Sequence, residues 1–172
     1  MPRFSLLLGF RGKLKRYNVS QQFLKPMVRV NLINPKFLAD QHLVAEYAEI
    51  LILAAYARAY PDLVGIPANY CLGTGHQKFF KNKLKYLKKR HESLKKEMKA
   101  RGFHPKRTLS LRGFGKNHLN DWKAQKKDFL VIEKRLIERI KLKPEFYRYY
   151  GEYKGEKFLI KLVKNGTKHL PQ

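Results

Sequence analysis

Residues 40–60 read DQHLVAEYAEILILAAYARAY and carry the clearest helical pattern of the chain. Asp40 is a residue type that caps helix N-termini, and Pro61 directly after the stretch stops a helix. At 100° per residue, three polar side chains of this stretch fall within about 60° of one another: His42, Glu46 and Glu49. We therefore predict a helix from Asp40 to about Tyr60, with two carboxylates and an imidazole on one edge.

Apolar periodicity predicts two further helices. One long helix spans residues 74–102, with Gly102 as its C-terminal stop, and another runs from about residue 120 to Pro144. For residues 155–169 the pattern leaves two alternatives, a short strand or an irregular end. Because three helices around one core make an all-α arrangement, we predict an all-α, compact single domain of about three main helices.

The charge balance points to a polyanionic partner. The chain has 172 residues with 38 Lys and Arg against 13 Asp and Glu, a formal charge of +25, and its 44% hydrophobic content suffices for a core. The long predicted helix holds many of these cations on one face, which either binds an external anion or is merely solvated. Nucleic acid is the favoured partner, ahead of an anionic membrane surface.

Several classes of site and topology are excluded or disfavoured. The single cysteine, Cys71, allows no intramolecular disulfide, and the longest apolar runs are far shorter than the ~20 residues of a membrane-spanning helix. His42 and Glu46 are spaced like helical metal ligands, but no third strong ligand accompanies them. We therefore predict no metal, no cofactor and no contact with a membrane.

An aromatic cluster near the C-terminus allows two interpretations. Residues 146–151 read FYRYYG, so that tyrosines alternate with Arg148. Such a segment can stack on bases while its cation meets phosphate, or it can form an aromatic lid over a small helical core.

An ordered set of motifs resembles one family, the pyrimidine-dimer DNA glycosylase/AP lyases. The matching stretches are RVNL at 29–32, LADQHLVAEY at 38–47, LGTGH at 72–76, Phe79 and Phe80, Lys83 and Leu84, Leu87, Lys89 and Arg90, RGF at 101–103, and Pro144 with Tyr147, Tyr149, Tyr150 and Gly151. The resemblance covers Val28 to about Gly151, and it implies a mostly helical domain whose basic face binds bent duplex DNA.

The resemblance implies that the nucleophile is the α-amine of a processed N-terminal residue, which corresponds to Val28. In the chain as written Val28 is internal, and an amide nitrogen cannot form an imine. We therefore expect that the functional polypeptide starts at Met27 and loses it, so that residues 1–27 are an upstream mis-start or a removable basic extension. The alternative is a genuine basic arm or targeting segment. The catalytic domain would span residues 28–151, followed by a basic tail at 152–172.

An α-amine suits imine chemistry because its pKa is about 7.7 to 8.0, against about 10.4 for lysine. The resemblance implies attack on C1′ of the damaged nucleotide, a Schiff-base intermediate and strand cleavage by β-elimination. Glu49 matches the catalytic glutamate of the family, whereas Glu46 is expected to have a structural role, such as bonding a basic side chain. The residues expected to contact DNA are Arg29, Gln41, His42, Lys89, Arg90, Tyr147, Arg148 and Tyr149, of which His42 has the alternative of a helix-cap or core residue.

Three positions depart from the family pattern: Ala48 and Ile52 stand where the family has arginines near its glutamate, and Phe146 stands where the family has a tryptophan. The preferred lesion is thereby left open. The expected partner is double-stranded damaged DNA, bound by a monomer, in the cytoplasm at the nucleoid or, for a viral protein, in the host cell. The competing interpretation is a non-catalytic basic nucleic-acid-binding protein of the same fold.

Overall fold

The computed structural model of the chain describes residues 29–73 and 75–168. Its regular elements there are five helices: α1 Asp40–Ala59, α2 Gly75–Phe80, α3 Leu84–Ala100, α4 Lys126–Leu142 and α5 Glu156–Lys168. Short 3₁₀ turns span Pro35–Phe37, Lys116–His118 and Pro144–Phe146. Within this part of the chain no strand occurs, only two isolated β-bridges. The prediction of an all-α single domain is confirmed, with five helices where about three were expected.

Helix α1 is the centre of the fold and packs against both α2 and α3. Its side chains Leu43 and Ile50 are fully buried in the main core. Its predicted bounds are confirmed to within one residue, but Asp40 is the first helical residue and the N-cap position is Ala39. The Asp40 carboxylate instead accepts hydrogen bonds from the Arg101 guanidinium and the backbone of Gly151. Asp40 thus ties the start of α1 to the end of α3 and to the segment after α4.

The single long helix predicted over residues 74–102 is two helices, α2 and α3. Between them Lys81 is buried and pairs with Asp62, while Lys83 forms an isolated bridge with Leu119. The apolar repeat continues across the break, since Phe80 and Leu84 on its two sides are both buried. Tertiary contacts of the two lysines therefore accompany a break that the periodicity does not reveal.

Helix α4 begins at Lys126, later than the predicted start near residue 120. The Gln125 side chain and the Asp128 carboxylate form a reciprocal capping box at this start. Trp122 lies before the helix, and its ring stacks on Tyr70 with centroids 6.0 Å apart. Trp122 thus packs in an aromatic cluster before the helix and is not part of the buried face of α4.

The prediction of a strand or an irregular end for residues 155–169 is wrong, because α5 occupies this region. Leu159 and Val163 are buried in the same core as the other helices, and α5 packs mainly on α4. Among the helices of the described residues, none is both long and apolar enough for a bilayer-spanning segment.

Candidate active site

The polar edge of α1 faces inward, toward the irregular segment 29–33 that precedes the helix. His42, Glu46 and Glu49 are all buried, and Glu46 is fully so. Burial of two carboxylates and an imidazole costs free energy unless each is compensated by hydrogen bonds or opposite charges. Such a strip is therefore the first candidate for a functional site in this fold.

Segment 29–33 is held by both backbone groups of Val30. The Val30 N–H donates to Nε2 of His76 at 3.2 Å, and the Tyr70 hydroxyl donates to the Val30 carbonyl at 3.0 Å. His76 Nε2 is thus an acceptor, so its Nδ1 carries the proton that it shares with the Cys71 carbonyl at 2.9 Å. Burial lowers the pKa of His76 to about 4, which keeps this tautomer neutral.

Glu46 links the same segment to α3. The Arg90 guanidinium donates two hydrogen bonds to the Glu46 carboxylate, at 2.7 and 2.9 Å, and the Asn31 amide donates a third at 3.0 Å. Arg90 also donates to the carbonyl of Ile33 at 2.6 Å. The prediction that Glu46 has a structural role, bonding a basic side chain, is confirmed. Arg90 is buried and bound by these internal acceptors, which gives it a part in the fold, and its contact with DNA stays a prediction.

Glu49 lies one turn after Glu46 and is buried as well. Burial raises the pKa of Glu49 to about 7, since removal from water disfavours the carboxylate. The positive charges of Arg29 and Arg135 act in the opposite direction, and Glu46 adds to the rise. A carboxyl group with this pKa exchanges protons readily near neutral pH.

His42 begins the polar edge and stacks on Tyr147, with ring centroids 4.5 Å apart. Burial, with smaller contributions from Arg135 and Arg139, lowers the pKa of His42 to about 3, so the ring is neutral. In the described residues neither ring nitrogen has a hydrogen-bond partner. A buried and uncompensated imidazole beside the carboxylates fits an orienting role, and direct contact of His42 with DNA stays a prediction.

Arginines from two elements supply the positive field of the site. Arg29 is buried at the start of segment 29–33, and its charge reaches Glu49. Arg135 on α4 donates to the Asn31 side chain at 3.2 Å, and Arg139 lies one turn further along the same helix. The field of all three favours anionic groups near the buried carboxyl.

The remaining predicted DNA contacts fall into two groups. Gln41 accepts the backbone N–H of Arg148 at 2.8 Å, which joins α1 to the aromatic segment that carries Tyr147 and Tyr149. Tyr147 is buried in the core, and the Tyr149 hydroxyl donates to the Lys36 carbonyl at 3.1 Å. Lys89 stands apart from them on the surface of α3, paired with Asp121.

Four side chains of the site had no assigned role in the sequence interpretation: Asn31, Tyr70, His76 and Arg139. Asn31 and His76 lie within matched motifs, so the resemblance carried a signal for them. Tyr70 lies in an irregular loop and Arg139 on a helix with many cations, where neither position stands out. Val28, the predicted nucleophile, precedes the described residues and is the direct chain neighbour of Arg29.

Over residues 29–73 and 75–168, no group of three or more His, Cys, Asp or Glu side chains could hold a metal ion.

The family model described as pyrimidine dimer DNA glycosylase matches residues 27–111. This range includes segment 29–33, all of α1 and both Tyr70 and His76.

Proposed function

The chain belongs to the pyrimidine dimer DNA glycosylase family, and on this premise we propose that it excises cyclobutane pyrimidine dimers, or related lesions, through an imine on the α-amine of Val28. The same imine then undergoes β-elimination, which breaks the DNA strand, so the proposed activity includes that of an AP lyase. The nitrogen becomes an amine when the chain starts at Met27 and that methionine is removed.

The observation that carries the proposal is the rigid hold on segment 29–33 beside a buried carboxyl group with a raised pKa. The backbone of Val30 is bound on both sides, and Arg29 lies near enough to Glu49 to lower its pKa. Val28 is only one peptide bond from Arg29, so its nitrogen starts within a few ångströms of the fixed segment. A nucleophile held next to its acid–base partner has little orientational freedom to lose before reaction. The start of the family match at Met27 agrees with this processing.

The proposed reaction uses one nitrogen twice. The neutral amine of Val28 attacks C1′, the glycosidic C–N bond breaks, and the base leaves with the bonding electrons and a proton. The sugar ring opens to a protonated imine, which acidifies the C2′ hydrogens. Loss of one of them expels the 3′ phosphate, and water finally hydrolyses the imine.

Glu49 is proposed as the catalytic carboxyl group. As a carboxylate it stabilises the positive charge that develops on the sugar and the imine. With a pKa near 7 it also returns and removes protons during ring opening and elimination. Arg29 and Arg135 keep a fraction of it ionised and offer cations to the phosphates that flank the lesion.

Borohydride trapping on ultraviolet-irradiated or abasic duplex tests the proposal. Reduction should leave a stable protein–DNA adduct that peptide mapping assigns to the nitrogen of Val28, on protein whose intact mass begins at residue 28. Binding without an adduct would instead identify a non-catalytic nucleic-acid-binding protein. Active protein that retains residues 1–27, or an adduct on a lysine, would overturn the mechanism.

A further inference from the structure

Helix α5 carries a stripe of four lysines on the side away from the core. Lys157, Lys161, Lys164 and Lys168 follow one another at intervals of four, three and four residues, so they fall within about 60° of arc. The buried residues Leu159, Leu162, Val163 and Gly166 lie on the opposite side. The four lysines, together with Ile160 and Asn165, line a shallow surface depression. We refer to these four lysines as the α5 stripe.

In the described part of the chain no acid forms an ion pair with the α5 stripe, although the Glu133 carboxylate of α4 reaches α5 and accepts a hydrogen bond from Thr167. None of its four ammonium groups forms an ion pair there, although other exposed lysines such as Lys89 and Lys154 do. The one acid of α5, Glu156, lies about 100° away around the helix. Residues 1–28 contain no Asp or Glu at all, so that segment cannot neutralise the stripe. Four like charges on one face therefore favour an external polyanion.

The dimensions of the stripe match a nucleic-acid backbone. Eleven residues separate Lys157 from Lys168, which makes the stripe about 16 Å long. Phosphates of one strand recur every ~3.4 Å along the duplex axis but wind around it, so a straight stripe of this length can meet some of the about five phosphates that it passes. Lysines form such contacts without reading sequence.

From this placement we infer that the α5 stripe is a second DNA-binding surface, which binds the phosphate backbone of the duplex that carries the lesion. The inference rests on the proposed function for the identity of the polyanion. It extends that function because α5 lies outside residues 27–111, the part of the chain that matches the family. Cations on α5 would add affinity for the DNA backbone in a chain that has Ala48 and Ile52 at the α1 positions where the family pattern has arginines.

The stripe is fixed relative to the candidate active site. Gly166 packs so closely on the turn before α1 that a Cβ built there would lie 2.8 Å from Phe37 Cβ and 3.1 Å from Ile33 Cδ1. The carbonyl of Ile33 is in turn bound by Arg90. A duplex held by the stripe is therefore held in a fixed relation to segment 29–33.

The test is equilibrium binding of undamaged duplex by the full-length chain as a function of salt. The variant Lys157→Gln/Lys161→Gln/Lys164→Gln/Lys168→Gln should bind at least ~10-fold more weakly at 0.1 M salt. The slope of log K against log salt should fall in magnitude by about 2 to 4, because each lost phosphate contact removes ~0.9. The matched variant with arginine at all four positions should keep the slope and affinity of the wild-type chain.

Unchanged affinity and slope in the glutamine variant would overturn the inference, as would an arginine variant that loses as much as the glutamine variant. Loss of binding to single-stranded RNA or to anionic vesicles, with duplex binding intact, would also overturn it by showing another partner. Since undamaged DNA requires neither Val28 nor Glu49, this result is independent of imine formation. Failure of borohydride trapping with the expected change in slope would therefore refute only the proposed chemistry.

Discussion

Nε2 of His76 lies 3.2 Å from the backbone nitrogen of Val30 and accepts a hydrogen bond from its N–H. The acceptor must be neutral, because a protonated imidazole would present a second N–H to the Val30 amide. The hold on segment 29–33, and through it the position proposed for the nucleophile, thus depends on the protonation state of one buried histidine.

The first prediction concerns stability in mild acid. Burial lowers the pKa of His76 to about 4, below its unfolded value of about 6.5, so its contribution is complete above pH 6.5 and is lost as the pH falls toward 4. The pKa difference corresponds to on the order of 3 kcal/mol. His76→Gln retains an acceptor but does not titrate, so the free energy of unfolding of the two proteins should converge or cross between pH 7 and 4. Denaturant titration over this pH range measures the two free energies of unfolding. A difference between them that does not change with pH would contradict the prediction.

A control for this experiment is His76→Leu, which removes the acceptor. It should be destabilised by about 1–3 kcal/mol at pH 7, because the buried N–H of Val30 is left without a partner. Since leucine does not titrate, this deficit should shrink as the pH falls toward 4 and the wild-type chain loses the contribution of His76.

The second prediction separates activity from stability at Glu49. The pKa of Glu49 is raised to about 7, so the stability that it contributes is present below its unfolded pKa near 4.5 and is lost as the pH rises through 7. Glu49→Gln should therefore gain on the order of 3 kcal/mol relative to the wild-type chain between pH 4.5 and 8. The same variant should bind damaged duplex but lose most base excision. Chemical unfolding and single-turnover excision measure the two effects.

The matched control is Glu138→Gln on the exposed surface of α4, which should change neither quantity. Normal excision by Glu49→Gln would refute the catalytic assignment, whereas an absent pH-dependent gain would refute only its raised pKa.

The third prediction concerns the Glu46–Arg90 pair. Arg90→Met leaves a fully buried carboxylate without its main partner, and we expect a loss of about 3–5 kcal/mol in the free energy of unfolding. Glu46→Leu/Arg90→Met should lose less than the sum of the single variants, because no unpaired charge remains. Additive losses in this double-mutant cycle would show that the two side chains act independently.

The fourth prediction places α5 against the turn at Pro35–Phe37. Alanine ordinarily stabilises a helix by up to ~1 kcal/mol relative to glycine. At Gly166 the new Cβ would meet the Cβ of Phe37 at 2.8 Å, so Gly166→Ala should instead cost about 1–3 kcal/mol. Asn165→Ala, one residue earlier, is the control and should not destabilise. Thermal unfolding of both variants checks the sign, and a more stable Gly166→Ala would mean that α5 does not pack there.

Local patterns predicted the elements whose signals are local. The bounds of α1 follow from its apolar repeat and Pro61, and the end of α3 follows from Gly102, which has a φ of +79°. The partnership of Glu46 with a basic side chain was also foreseen. The first two features depend on residues close in sequence, whereas Glu46 stood out only by its place on one helix edge, and its partner Arg90 on α3 was not predicted.

Features that depend on distant partners were not predicted. Lys81 and Lys83 read as part of one long cationic helix, yet their contacts with Asp62 and Leu119 accompany the break between α2 and α3. Arg90 read as a surface cation because its partner lies on another helix. Leu159, Leu162 and Val163 have helical spacing, but α5 was not predicted from it. The weak helix formers Asn165, Gly166 and Thr167 follow directly and obscure the pattern.

The hydrogen bonds of Val30 to His76 and Tyr70 fix the distance along the chain between the bound segment and the proposed N-terminus. In the proposed mechanism, extra residues ahead of position 28 convert that nitrogen to an amide, and their removal restores the amine. One residue inserted between Val28 and Val30 would instead keep the N-terminal group an amine but displace it along the chain by about 3.5 Å. Two chains with equally free termini could then differ completely in trapping, and the spacing behind the terminus would decide which one reacts.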